Sequence, residues 1–496
     1  MADRQSQYKN NAKTADSLRQ GRHNRLVSIR KDKRDELIEA RRSLGSVCNI
    51  AGDEVVAVLN DLRNGDVELR RQALLRMDAI VETDDPFVKD LLTADVMSII
   101  GAMMQDEIHD STLMILAKIS ATNADCAKAV CQADLFPKIA EATRSNDEKL
   151  SATCVRSVGY MTQICFPWNL EAKTNAMRLL ARLLDGEPSY EMVESLAESF
   201  LCLCRRDRNE PTLPDDVALD LLKALYIIIA NVTRHANPKS RGLIDTLLAM
   251  TYISEQEASK AKLIIDLGFV RIFASSFSSD DRIIRLYTLR LIADICDAGC
   301  DEVETFLAID VLRFARAAMC VEHNAEDRLA GRTNFEIARL VANVVKGTNS
   351  QVQRVVEADL FVALKQLLQL GNYDVNEMVV LAFRSASRLE NTAQLLLQLD
   401  AIPPLCEVLI TCDSEIASDI IITFLNLLHF AKDEQQSIDI LYMLERYAME
   451  SIEHCMCAVD GYLVQKAEEL YDRMLAADTE WDFCAIDEDD VGEFAF

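Results

Sequence analysis

The run Ser28–Arg42, SIRKDKRDELIEARR, gathers Arg30, Lys31, Lys33, Arg34, Arg41 and Arg42, and Arg19, Arg22 and Arg25 precede it. Ammonium and guanidinium groups at this density do one kind of chemistry. They donate charge-assisted hydrogen bonds to carboxylates or phosphates, the arginines in two-pronged fashion. On a helix Arg30, Arg34, Leu37 and Arg41 share one face, and Lys31, Ile38 and Arg42 the next. Such a helix has too few apolar positions to fold against a core of its own. It suits an acidic receptor that wraps it and orders it on binding. An isolated charge run is usually a solvated face, so its setting matters. Through Arg42 the chain has 12 Lys/Arg and 6 Asp/Glu, whereas the whole carries a formal charge of −27, which leaves −33 for the rest. A body of that sign disfavours nucleic acid and anionic membranes as partners and favours basic peptides or proteins.

Other reactive residue types lead nowhere comparable. His454, Cys455 and Cys457 in EHCMC, and the pair Cys202/Cys204, have no second half at zinc spacing, and alternate residues on a helix point apart. They read as core cysteines acting as small hydrophobes. No nucleophile elbow, phosphate-binding glycine loop or HExxH occurs, so no enzyme, cofactor or metal site is expected. The first residues, MADRQSQYKNNAKTADSLRQ, contain no apolar signal segment, and stretches such as ALYIIIANV are too short to span a bilayer. Fifteen cysteines in 496 residues do not form a disulfide scaffold, and cytosol or nucleus is the expected compartment.

The elements that must carry these residues are helical. Half the residues are hydrophobic, while Gly and Pro number only 15 and 9. Ile337, Leu340, Val341, Val344 and Val345 follow helical spacing, as do Leu289, Ile292, Ala293 and Cys296, and Ile421, Phe424, Leu425 and Leu428. No window alternates with period two, so an all-α fold is predicted. A short signature also recurs, a small or acidic residue followed by an apolar helix: TADVMSII at Asp95, QADLFPKI at Asp134, DLGFVRIF at Gly268, AIDVLRFA at Asp310, EADLFVAL at Asp359 and LDAIPPLC at Ala401. The intervals of 39, 134, 42, 49 and 42 residues fit an armadillo or HEAT period, the long one as about three units. Units of this kind bury their apolar faces only by stacking, here into a right-handed armadillo superhelix with a concave groove. The expected divisions are a flexible basic arm at 1–49, the repeats at 50–475 and an acidic tail at 476–496.

A basic arm before three-helix repeats resembles the importin-alpha family, adaptors that carry nuclear-localisation-signal cargo, and the likeness covers nearly the whole chain. The order Leu18, Arg19, Arg22, Arg25, then Arg30, Lys31, Lys33, Arg34, then Arg41, Arg42 is similar to that family's importin-beta-binding segment. LCLCRRDRNEPTLPDDV, Leu201–Val217, resembles the passage between its fourth and fifth repeats. Tyr252 in LAMTYIS and Arg290 in TLRLIADI fall where the fifth and sixth repeats of the family depart from their usual Asn and Trp.

The resemblance also implies a peptide-binding ladder, with a Trp and, one helical turn later, an Asn on the third helix of each repeat. Here it is almost gone. The two tryptophans, Trp168 and Trp481, fall elsewhere, and the pairs become Met114/Lys118, Arg156/Tyr160, Glu198/Cys202, Leu248/Tyr252, Arg290/Asp294, Arg339/Asn343 and Leu381/Ser385. Asn426 keeps the Asn position in the last repeat, Ile164 replaces an acidic residue, and Glu377 lies near the position of another. Lys118 and Arg156 would repel a cationic ligand, so the major peptide site is expected to be absent or reshaped. The candidate cargo residues are therefore Tyr252, Arg290, Asp294, Arg339, Asn343, Ser385 and Asn426, with Asn343 reading equally well as a plain buried asparagine.

The implied function is a nuclear-import adaptor that links signal-bearing or restricted cargo to importin-beta, with a weakened signal site, shuttling between cytoplasm and nucleus. Asp32 interrupts the basic cluster, which argues against the arm mimicking cargo in its own groove. The tail has eight acidic residues from Asp478 onward, with Trp481, Phe483, Phe494 and Phe496. It reads either as a solubilising cap or as a site for a nuclear export receptor. The missing ladder keeps a second function open, an armadillo scaffold that has lost peptide carriage.

Overall fold

A computed structural model describes residues 51–82, 94–103, 109–122, 124–186, 188–205, 210–234, 241–277, 279–319, 327–369 and 372–484. The basic arm at 1–49 and residues 485–496 of the acidic tail lie outside these. Every regular element among the described residues is helical, which makes the chain all-α, of the armadillo-repeat class. It divides after Cys165 into two compact units.

The first unit holds α1 (Ala51–Asn64), α2 (Val67–Glu82), α3 (Ala94–Met103), α4 (His109–Thr122), α5 (Ala124–Gln132), α6 (Phe136–Ala142) and α7 (Glu148–Cys165). The second begins with α8 (Leu170–Ala181), a 3-10 turn Arg182–Leu184, α9 (Tyr190–Cys204), α10 (Asp215–Arg234) and α11 (Arg241–Ser254). Three triplets follow: α12 (Ala258–Asp266), α13 (Val270–Phe277), α14 (Arg282–Cys296); α15 (Cys300–Leu307), α16 (Val311–Ala318), α17 (Arg328–Val345); α18 (Asn349–Glu357), α19 (Leu360–Leu368), α20 (Tyr373–Ala386). A fourth is α21 (Glu390–Gln398), α22 (Ile402–Leu409), α23 (Ser414–His429), and α24 (Glu434–Cys455) and α25 (Gly461–Cys484) complete the unit. The last helix runs nine residues past Leu475, the expected end of the repeats.

Two local devices recur. Between the first and second helix of a repeat the chain turns through one left-handed residue: Asp134 (φ 55°), Gly268 (82°), Asp310 (58°), Asp359 (54°) or Asp400 (53°). In each case its N–H closes on the carbonyl three residues back, at 2.9–3.2 Å. Glycine adopts this conformation freely and aspartate tolerates it. The recurring small or acidic residue is thus the pivot of the repeat. In the last repeat the pivot is Asp400, one residue before the aligned Ala401, and Asp95 instead lies in the first turn of α3. No left-handed pivot occurs among the described residues between Asp134 and Gly268, where one unit turns through the 3-10 segment Arg182–Leu184 and the next has α10 running uninterrupted for 20 residues.

The second device starts the third helix. Ser189, Asp281, Asp327, Asn372 and Asp413 each accept a hydrogen bond from a backbone N–H in the first turn of α9, α14, α17, α20 and α23. Caps of this type stabilise a helix by about 1 kcal/mol. Pivot and cap together fix the register in which apolar stripes meet. Ile337, Leu340, Val341, Val344 and Val345 are all buried, and Phe269, Phe273 and Phe306 stack through the core at 6.3 and 6.1 Å. Consecutive third helices pack on one another, α2 on α4 on α7 in the first unit and α9, α11, α14, α17, α20 and α23 in turn in the second.

Candidate functional site

The seven candidate cargo residues all lie on third helices of the second unit, and the structure brings neighbouring ones together. Asp294 on α14 is buried, and Arg339 on α17 reaches it, Nη1 to Oδ1 at 2.5 Å. The same guanidinium donates to Glu336 at 2.9 Å and to the Arg290 carbonyl at 3.1 Å. Burial pushes the Asp294 carboxyl up to about 7 even though Arg339 pulls the other way. Burial likewise raises Glu336. Arg290 reaches back to Glu255 at 3.3 Å.

Asn343 is buried, and its Nδ2 donates to the Ala293 carbonyl at 2.9 Å while Oδ1 accepts from Lys346 at 3.0 Å. Its amide therefore joins two third helices. Asn426 on α23 does the same two repeats later, donating to Ser387 Oγ just past α20 at 2.9 Å, and an Arg384–Asp419 ion pair at 3.1 Å joins the same two helices. Ser385 is buried, with its carbonyl accepting from Arg388 Nε at 3.3 Å. Tyr252 is half-buried, and its carbonyl accepts from Gln256 at 3.1 Å.

The spacing of candidates one turn apart was visible in the chain. Their partners Glu255 and Ser387 were not, because they come from neighbouring repeats. Only the Glu336–Arg339 pair carries a local signal, the i, i+3 spacing of opposite charges.

Along this row some buried acceptors are left over. Asp294 Oδ2 and Asn376 Oδ1 have no hydrogen-bond donor among the described residues, while the buried Asp245 Oδ2 faces Arg241 Nε at 3.6 Å. In the first unit Met114, Lys118, Arg156 and Tyr160 are all half-buried on α4 and α7.

The remaining sites read from the chain divide. Cys204 and Cys455 are buried, with Cys204 pushed upward by burial, and Cys202 is half-buried and raised to about 12 by the same cause. Cys457 is exposed, because α24 ends at Cys455 and the chain turns outward. Trp168 is exposed in the turn before α8. Among the described residues no cluster of three His, Cys, Asp or Glu could hold a metal, and no helix is long and apolar enough to cross a membrane.

Residues 4–87 match the importin beta binding domain family. The match contains every arginine and lysine singled out in the arm, and it continues through α1 and α2. Together with the armadillo repeats, it supports assignment to the importin-alpha family. The importin beta binding domain itself implies an adaptor role with importin-beta as partner. One solved structure agrees on the fold, and two shorter ones are also similar. An engineered protein from the Northeast Structural Genomics Consortium aligns at a TM-score of 0.68 and 15% identity, covering 85% of this chain and 99% of that one. A designed armadillo repeat protein covers 50% of this chain and 99% of its own at a TM-score of 0.43 and 16% identity. Another, in complex with the peptide (KR)4, covers 50% and 98% at 0.42 and 16%.

Proposed function

We propose that the chain is a nuclear-import adaptor that gives importin-beta its arm and a restricted cargo its third-helix row. The importin-beta-binding match over residues 4–87 carries this reading. Arg19, Arg22, Arg25, Arg30, Lys31, Lys33, Arg34, Arg41 and Arg42 are the groups that bind, through charge-assisted bonds to a carboxylate-rich receptor. Shuttling between cytoplasm and nucleus follows from that role. The acidic tail, with its aromatic residues, serves a nuclear export receptor.

The cargo site is altered. Arg290, Arg339, Asn343 and Asn426 are engaged by neighbouring helices, so a lysine-rich signal peptide would have to displace bonds already made. Purified protein lacking residues 1–49 should bind a lysine-rich monopartite signal peptide far more weakly than an importin-alpha with an intact ladder. Equal binding would overturn the altered-site reading.

The same engaged residues favour a second reading, an armadillo scaffold without peptide carriage. The two separate on one observation: residues 1–45 fused to a reporter enter nuclei through importin-beta alone if the arm is a transport signal, and stay outside if it is not.

A further inference from the structure

Helix α16, the second helix of its repeat, carries groups that the binding function does not use. Phe277 at the end of α13 and Phe314 on α16 stack with ring centroids 5.0 Å apart and planes 11° from parallel. Phe277 is buried, whereas Phe314 is only half-buried. They wall a cleft of about 320 Å³ that Arg282 and Arg285, from the first turn of α14, also line. No carboxylate lines it among the described residues. Arg282 bonds Asp327 at 2.9 Å, and Arg285 donates to the Ser279 carbonyl. On the other side of Ala317 a second cleft, of about 560 Å³, holds Arg313 and Arg316 together with Asp310, Glu357 and Asp359. The Arg313 and Arg316 guanidinium groups make no hydrogen bond or ion pair among the described residues. The helix thus offers an aromatic wall on one side and two unpaired cations on the other.

We propose that this face of α16 holds the chain's own C-terminal tail, residues 485–496. The tail AIDEDDVGEFAF has five acidic residues, two phenylalanines and no cation. Its charge is opposite to that of the free guanidinium groups, and arginine grips a carboxylate with two parallel bonds. The Phe494 ring packs in the first cleft against Phe314 and extends the aromatic stack, while the run Asp487–Asp490 meets Arg313 and Arg316. The carboxylates of the second cleft oppose an acidic guest, so the run sits on the α16 side of it. The tail is long enough. Helices α17, α20, α23 and α25 pack in turn, three steps of about 8–10 Å each, and twelve extended residues reach about 40 Å. While docked, the tail is withheld from any other partner, which must compete for it.

The test replaces Phe494 with photoreactive p-benzoylphenylalanine in the full chain, irradiates a dilute solution and reads the cross-linked peptides by mass spectrometry. Cross-links within one molecule to peptides carrying Phe277 or Phe314 are expected. Arg313→Glu/Arg316→Glu should lower their yield at least about tenfold, and rising salt should lower it too. These two guanidinium groups make no bonds in the fold, so the variant should melt with the unmodified chain. The position of the cross-links with both arginines intact decides even if that variant folds poorly. Cross-links confined to the basic arm, to other helices or to a second copy would overturn the proposal, as would a yield that the double reversal leaves unchanged.

Discussion

Arg339 Nη1 lies 2.5 Å from Asp294 Oδ1, and the pair joins the third helices of two successive repeats. Asp294 is 4% exposed in its side chain against 25% for Arg339, so the carboxylate depends on this partner. Above pH 7, where the carboxyl is ionised, replacing Arg339 by Ala leaves a buried acid without its cation and should cost about 2–4 kcal/mol in urea unfolding. Asp294→Asn keeps a hydrogen-bonding group and should cost less. If the order is reversed, the ion pair does not hold the helices.

The same carboxyl makes stability depend on pH. Burial raises Asp294 from an ordinary 3.8 to about 7. The folded state then holds a proton that the unfolded chain has released, so this group's contribution is full below about 4 and is lost as pH rises through about 7. Asp294→Asn should therefore gain on wild type between pH 4 and 7 in thermal melts. A constant difference across that range would contradict the assignment.

A second buried pair anchors the passage before α10. Lys173 and Glu210 meet at 2.6 Å with side chains 6% and 5% exposed. Glu210→Ala strands the lysine and should destabilise by roughly 3–5 kcal/mol, whereas Lys173→Met with Glu210→Leu should recover most of that loss. Chemical denaturation of the three variants checks the ordering.

The pivots predict differently. Asp359 sits at φ 54°, where a β-branched side chain is strained. Asp359→Val should cost about 1–2 kcal/mol while Asp359→Gly stays near neutral, since only glycine escapes the left-handed penalty. Thermal melts of both variants measure it.

These particulars show what the chain discloses. Ile337, Leu340 and Val341 announce a buried helix face through spacing, because helix geometry is local. Asp134, Asp310 and Asp359 mark the repeat through one backbone conformation, also local. Asp400 was missed by one residue, since an apolar alignment weighs the following Ala401 and Ile402 more than the pivot. The candidate row was legible as positions, but its bonding was not. Arg339 finds Asp294 across 45 positions, and Asn343 finds the Ala293 carbonyl across 50, distances at which sequence spacing carries no signal.

The arm bears the central claim and can be tested directly. Importin-beta is titrated with the full chain and with its Lys33→Glu/Arg34→Glu variant at low and at physiological salt. Reversing two charges should weaken binding at least about tenfold, and rising salt should weaken the unmodified chain as well. Equal affinity of the two chains, unmoved by salt, would contradict the account.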